Sequence, residues 1–260
     1  MTQEYVINTN ATPSLSATNL SKRVLVLLYG IVGYLVGLVS LLWFILAMGG
    51  LAPTAIGPLQ TTSTLGAITV NTGLIVLFGL QHSIMARPGF KAFMRNWMPQ
   101  ATERSTFLLF TGITLIIAIV FWQPLPGLVW QVEQTGLMIG LWVLYGLGWS
   151  YLLLATFVTN HFELMGLRQI YFYFRNQPYH SIPFTKKFMY SYSRHPMMLG
   201  LLVGMWCVPI MSISQFVMAS LLTLYVFIGI FFEERDLSKE FGVAYIKYKN
   251  EVASLIPKIY

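Results

Sequence analysis

Residues 197–232 read MMLGLLVGMWCVPIMSISQFVMASLLTLYVFIGIFF, bounded by Arg194-His195-Pro196 on one side and Glu233-Glu234-Arg235-Asp236 on the other. As one helix this stretch would extend about 54 Å, well beyond a hydrocarbon layer of about 30 Å. A single crossing is excluded. Pro209 cannot donate inside a helix, and Ser212-Ile213-Ser214-Gln215 interrupts the apolar run. The stretch reads as two helices joined by a tight turn, with both mouths on the same side. Its first arm is short, which suits packing inside protein better than facing lipid.

Four further apolar stretches approach or exceed the roughly 20 helical residues a crossing needs: Val24–Met48, Leu65–Ala86, Phe107–Gln123 and Gly136–Val158. The third is short and leaves room for a helix that begins a turn earlier. Composition agrees. The 260 residues are 56% hydrophobic and 10% charged, with a mean hydropathy of +0.65, whereas soluble domains carry about 25% charged residues. Aromatic residues at 15% exclude a disordered chain, and Cys207, the single cysteine, excludes a disulfide framework. The expected fold is an all-α polytopic membrane protein: four transmembrane helices, a C-terminal helical hairpin and a cytoplasmic amphipathic cap. Residues 21–260 read as one integral membrane domain, preceded by a polar, mobile tail over residues 1–20. The first apolar stretch is too long for a signal-peptide core and lacks a small-residue cleavage site after it.

The net charge of +7 acquires meaning from its placement. Lys22 and Arg23 precede the first span. Arg87, Lys91, Arg95 and Arg104 fill the second loop, and Arg168, Arg175, Lys186, Lys187 and Arg194 fill the fourth. Arg235, Lys239, Lys247, Lys249 and Lys258 follow the hairpin. With both termini in the cytoplasm, all 16 basic residues share one face, and Glu133 is the single charge on the other. The excess of positive charge is an orientation signal, so no nucleic-acid partner is expected. His82, His161, His180 and His195 lie in or at the mouths of the cytoplasmic segments, and the span centres hold no ionisable residue. A transporter more often places such a group at the bilayer midplane; an enzyme working at the membrane surface gathers them at one interface.

Two clusters carry candidate chemistry. Arg194-His195-Pro196 opens the hairpin with a proline at the first helical position, leaving free N–H groups and a positive dipole end facing the cytoplasm. Gly200 and Gly204, four apart, permit a close approach to that helix. Interfacial anchoring and helix packing are the plain alternative for these residues. Glu233 and Glu234 close the second arm, on the same side, where a ligand bearing both ammonium and carboxylate would find complementary charge. They can equally mark a membrane boundary. Tyr245 and Tyr248, three apart, share a helix face in the segment that follows. There is no Gly-x-Gly-x-x-Gly between a strand and a helix, hence no Rossmann-type cofactor site, and no metal-ligand spacing, hence no metal is expected.

These elements carry a resemblance. Arg194-His195-Pro196-x-x-x-Gly200, Glu233-Glu234-x-x-Leu237, Phe241-Gly242-x-x-Tyr245-x-x-Tyr248 and Leu255-Ile256-Pro257 resemble the C-terminal signature of membrane-embedded methyltransferases, the superfamily of isoprenylcysteine carboxyl methyltransferases and phospholipid N-methyltransferases. Lys249 stands where that superfamily commonly has arginine. Two more segments, Gln81-His82-Ser83-Ile84-Met85-Ala86-Arg87-Pro88 and Thr159-Asn160-His161-Phe162-Glu163-Leu164-Met165-Gly166-Leu167-Arg168-Gln169, resemble the bacterial methanethiol S-methyltransferases; the first also resembles NnrU-related membrane proteins.

The resemblance implies S-adenosylmethionine as cofactor, held within residues 190–257, a small thiol as substrate and a bacterial inner membrane as location. Within that enclosure, the helix start at Pro196 with Arg194 and His195 is expected to hold the cofactor's polar end, Glu233 and Glu234 its ammonium or ribose hydroxyls, and Tyr245 and Tyr248 to close over it; Gly200 is expected among the cofactor-binding residues. A small alkyl thiol is mostly protonated at neutral pH, so a base is needed. His161 is the first candidate, with Glu163 or Glu103 orienting it, and His82 the second. Cys207 reads as packing. An isoprenylcysteine carboxylate or a phospholipid amine is the rival acceptor, and an NnrU-like protein without methyl transfer the rival class.

Overall fold

The computed structural model describes residues 19–54, 63–180 and 188–256. The polar N-terminal stretch through residue 18, Lys186, Lys187, Lys258 and the Pro257 of the C-terminal motif lie outside them.

Helix α1 (Leu20–Met48) starts where the Asn19 side chain accepts from Ser21 N. Helix α2 (Thr64–Ala86) starts likewise on the Ser63 hydroxyl. Helix α3 (Pro88–Arg95) begins on a proline, and α4 (Glu103–Val120) and α5 (Thr135–Val158) follow. The helix of the third span therefore begins a turn before Phe107, with Glu103 and Arg104 in its first turn. Two short helices, α6 (His161–Leu164) and α7 (Leu167–Phe174), lie in the fourth loop. The hairpin consists of α8 (Pro196–Trp206) and α9 (Ile213–Phe241), and α10 (Val243–Glu251) follows Gly242, whose φ of 53° suits glycine. Among the described residues, five helices, α1, α2, α4, α5 and α9, are long and apolar enough to cross a membrane. The chain is thus an integral membrane protein. The hairpin's second arm is one of the five, at 29 residues, while its first arm has 11.

The expected all-α fold and tight hairpin turn need one correction. The chain between α8 and α9 forms a short strand, β2 (Ile210–Ser212), which pairs antiparallel with β1 (Leu128–Gln131) in the loop joining α4 to α5. Pro209 ends α8's continuation, and its carbonyl accepts from Val132 N at 2.9 Å. The Ser212–Gln215 capping box then starts α9 at once.

Close helix contacts rest on small residues. A Cβ on Gly33 of α1 would fall 2.7 Å from Ser105 O on α4, and one on Gly204 of α8 would fall 2.6 Å from the Trp149 ring on α5. Backbones can approach that closely only without side chains. The two ends of the bundle differ sharply. At one, Gln215 Nε2 donates to Met48 O at 2.9 Å and Trp122 Nε1 to Ser214 Oγ at 3.0 Å, beside β1 and β2. At the other, Arg87 meets Asp236, Arg168 meets Glu163 and Arg194 meets Glu234. These three ion pairs gather at one end of the bundle.

Candidate active site

The mouth of the hairpin is built by three chain segments. Pro196 sets the first turn of α8. Just before it, residues 193–195 run beside the tail: Ser193 bridges to Ala253 in parallel, Arg194 N donates to Ala253 O at 2.9 Å, and His195 N donates to Ser254 O at 3.0 Å. The last turns of α9 supply Glu233 and Glu234. Arg194 Nε reaches Glu234 Oε1 at 2.8 Å, and His195 Nε2 stands 3.1 Å from the same oxygen. Lys249 Nζ of α10 takes Oε2 at 2.9 Å. Arg194 also donates to the carbonyls of Lys249, at 2.8 Å, and Val252. The two distant motifs do meet.

The paired acids are not equivalent. Glu234 is buried and surrounded by three cationic or ionisable partners. The Glu233 side chain is 52% exposed, and His195 Nδ1 approaches its Oε2 at 3.6 Å. Beside Glu234 opens a groove of about 420 Å³ lined by Phe231, Glu234, Arg235, Ser238, Lys239 and Lys249. Pockets for small ligands commonly occupy about 300–1,000 Å³.

Tyr245 and Tyr248 lie inside the protein, packed with Val252 and Leu237. Their rings meet edge to face with centroids 5.9 Å apart, and the Tyr248 hydroxyl donates to Tyr190 O at 2.7 Å. Burial pushes both phenols up to about 12. They brace α10 against α9 and the segment before α8. Gly200 faces α5: a Cβ there would fall 2.6 Å from Leu152 N. The close approach that this glycine permits is made by a helix.

His161 forms a second centre. Asn160, in the left-handed region at φ 72°, caps α6 and turns the chain out of α5. The imidazole is buried, stacked on Phe157 at 4.5 Å between centroids. Its Nδ1 lies 2.8 Å from Thr156 Oγ1, and its Nε2 lies 3.1 Å from the Tyr34 hydroxyl. Because Thr156 Oγ1 already donates its hydrogen to Leu153 O at 2.7 Å, it accepts from Nδ1–H, and Nε2 is left to accept from Tyr34. Burial lowers the pKa of the imidazole from its ordinary value. The result is a neutral ring with its basic nitrogen held on a phenol.

Thr156 and Tyr34 therefore orient His161, in place of the two expected acids. Glu163 accepts from Gln169 Nε2 at 3.1 Å, from Arg168 Nη1 at 3.1 Å and from the Tyr179 hydroxyl. Glu103 is taken by Arg95. His82 sits apart, its Nδ1 3.3 Å from Thr111 Oγ1 and its ring between Phe78 and Phe107 at 5.6 and 4.7 Å. Those partners belong to α2 and α4, with Tyr225 of α9 edge-on to the ring at 6.3 Å; those of His161 belong to α1, α5 and α6.

Tyr190 links the two centres. Burial pushes its phenol up to about 12, opposed by a hydrogen bond with Thr159 and reinforced by the charge of Glu233. Thr159 is two residues before His161. Sequence reasoning did not single out Tyr34, Thr156 or Tyr190. The first is one tyrosine in an apolar helix, and its partner lies 127 positions away.

The phospholipid methyltransferase family matches residues 145–244. Methanethiol S-methyltransferase from Mycobacterium tuberculosis is 38% identical over 237 residues, which are 91% of this chain and 97% of that protein. The methanethiol S-methyltransferase of Crocosphaera subtropica is 36% identical over 238 residues, 91% of this chain and 93% of that one. Nurim from Sus scrofa is 29% identical over 187 residues, covering 69% of this chain and 71% of its own. No solved structure matches. The chain belongs to the methanethiol S-methyltransferase family.

Proposed function

We propose that the protein transfers a methyl group from S-adenosylmethionine to methanethiol, releasing dimethyl sulfide. The observation that carries this reading is the likeness to methanethiol S-methyltransferases along nine-tenths of the chain. When bound, the cofactor supplies a methyl group made electrophilic by a sulfonium. The residues at the hairpin mouth suit such a molecule. Glu233 offers an exposed carboxylate for an ammonium or ribose hydroxyls. Arg194 and His195 fix the geometry around it through Glu234, and Pro196 sets the helix start. Residues 190–257 form the cofactor-binding portion of one membrane unit covering residues 21–260.

His161 serves as the base. Its neutral state, held by burial and by Nδ1–H donation to Thr156, leaves Nε2 ready to take a proton at neutral pH. Glu163, tied to Arg168, Gln169 and Tyr179, fixes the turn that carries the imidazole. The charged end of the bundle faces the cytoplasm, and both termini lie there. An uncharged thiol and its sulfide product partition into the bilayer and reach this end through lipid.

The test supplies purified protein in lipid with methyl-labelled S-adenosylmethionine and four acceptors: methanethiol, hydrogen sulfide, a larger alkyl thiol and a prenylcysteine. Label in dimethyl sulfide supports the reading. Label confined to the prenylcysteine, or transfer to no acceptor, overturns it.

A further inference from the structure

We propose that Tyr34 is a further catalytic residue, the group through which the acceptor thiol gives up its proton. This rests on the thiol methyltransferase reading above. Both nitrogens of His161 are engaged: Nδ1 by Thr156 Oγ1 at 2.8 Å and Nε2 by the Tyr34 hydroxyl at 3.1 Å. The ring faces are covered as well, by Phe157 stacked at 4.5 Å and by Tyr34 and Phe162 edge-on at 5.8 and 5.6 Å. His161 as a whole is 7% exposed. A thiol therefore reaches the basic nitrogen by way of the phenol.

Tyr34 is placed to make that contact. It is half-buried, on α1, while Ile31 and Leu35 beside it are exposed on the helix's apolar outer face at 39% and 49%. An apolar substrate arriving through lipid meets α1 here before it meets His161. In the step, the thiol S–H bond breaks and its proton goes to the Tyr34 oxygen. The proton already on that oxygen passes to His161 Nε2. The electron pair of the broken bond stays on sulfur, giving a thiolate for methyl transfer and an imidazolium whose Nδ1–H remains on Thr156. After turnover the imidazolium loses its extra proton to water through the same phenol.

The surroundings leave the imidazole as the titrating group. From α1 it meets Tyr34, and from α5 the neutral Thr156 and Phe157. On its own turn, Glu163 is paired with Arg168 of α7, and Arg104 of α4 bonds the Glu163 carbonyl at 2.8 Å.

The test is Tyr34→Phe in the full chain, in lipid. With methanethiol, kcat falls about 10²-fold, and the residual rate climbs as pH rises and the free thiol ionises. Cofactor affinity, read by calorimetry with S-adenosylhomocysteine, stays unchanged. With an arylthiol already ionised at neutral pH, the loss shrinks to a few-fold. Tyr29→Phe, on the same helix as Tyr34, is the control: its hydroxyl donates to Thr106 Oγ1 of α4 at 2.8 Å, so it loses an interhelical bond without touching the relay and keeps its rate within a few-fold. Unchanged kcat for Tyr34→Phe overturns the proposal, as do equal losses for both thiols. Failure of the wild-type protein to methylate any thiol overturns the functional reading first and this proposal with it.

Discussion

Arg194 donates to Oε1 of Glu234 through both Nε and Nη2, each at 2.8 Å, across 40 positions of sequence. The side chains are each 8% exposed, and Lys249 completes the carboxylate at 2.9 Å on the other oxygen. This one acid thus fastens the start of α8, the end of α9 and the last helix together. Its neighbour Glu233 is left facing outward. A buried, paired acid and an exposed one stand side by side.

Glu234→Ala is expected to destabilise the protein by about 3 kcal/mol, because removing one partner leaves the buried Arg194 guanidinium uncompensated. Lys249, 46% exposed, contributes less. Glu233→Gln is expected to change stability by no more than about 0.5 kcal/mol. Thermal unfolding of both variants in detergent checks this, and equal shifts would refute the division of roles.

Gly200→Leu is expected to force α5 and α8 apart, since a Cβ already falls 2.6 Å from Leu152 N and 2.7 Å from Gly148 O. Backbone atoms cannot yield as a side-chain tip can, so the cost is at least the 1–3 kcal/mol typical of overpacking, roughly. The yield of monodisperse protein after detergent extraction measures it. A variant that melts like wild type would contradict the packing.

His161→Ala is expected to abolish methyl transfer while leaving cofactor affinity intact, whereas His82→Ala keeps turnover within a few-fold. The contrast follows from position: His161 presents a basic nitrogen held by a phenol, and His82 sits between Phe78 and Phe107 with Thr111. Single-turnover rates with labelled cofactor separate the two. Loss of activity in His82→Ala alone would transfer the base role to it.

The pKa of His161 is lowered by burial, which fixes the sign of two pH effects. The folded state binds this proton less readily than the unfolded state, so the contribution of the neutral ring to stability is present above about 6.5 and lost as pH falls below it. In the proposed role of base, the ring is also neutral throughout the neutral range, so the acid limb of the rate profile is expected to have its midpoint below about 6.5. A profile whose acid midpoint lies above that value would contradict the burial of a neutral imidazole.

Much of this was legible in the sequence, for physical reasons. Membrane-length apolar runs and one-sided basic loops gave the helices and their common charged end. The geometry of a hairpin placed Arg194 and His195 beside Glu233 and Glu234 before any coordinates did. What escaped was of two kinds. Residues 128–131 and 210–212 pair in a ladder too short to leave a periodic signal, and the second lies inside an apolar run. The surroundings of His161 depend on Tyr34, whose approach is set by how α1 packs across α4 and α7. Local spacing instead pointed to Glu163, two residues from His161, and that acid belongs to Arg168, Gln169 and Tyr179.

The central claim is that the hairpin mouth holds the cofactor and that Glu233 touches it. Calorimetric titration of S-adenosylhomocysteine into the wild-type protein and into Glu233→Gln tests it most directly. The account predicts binding to the wild type and affinity at least about tenfold weaker in the variant, the scale of a lost charged hydrogen bond, with melting temperature unchanged. No binding to the wild type, or equal affinity in the two proteins, would contradict it.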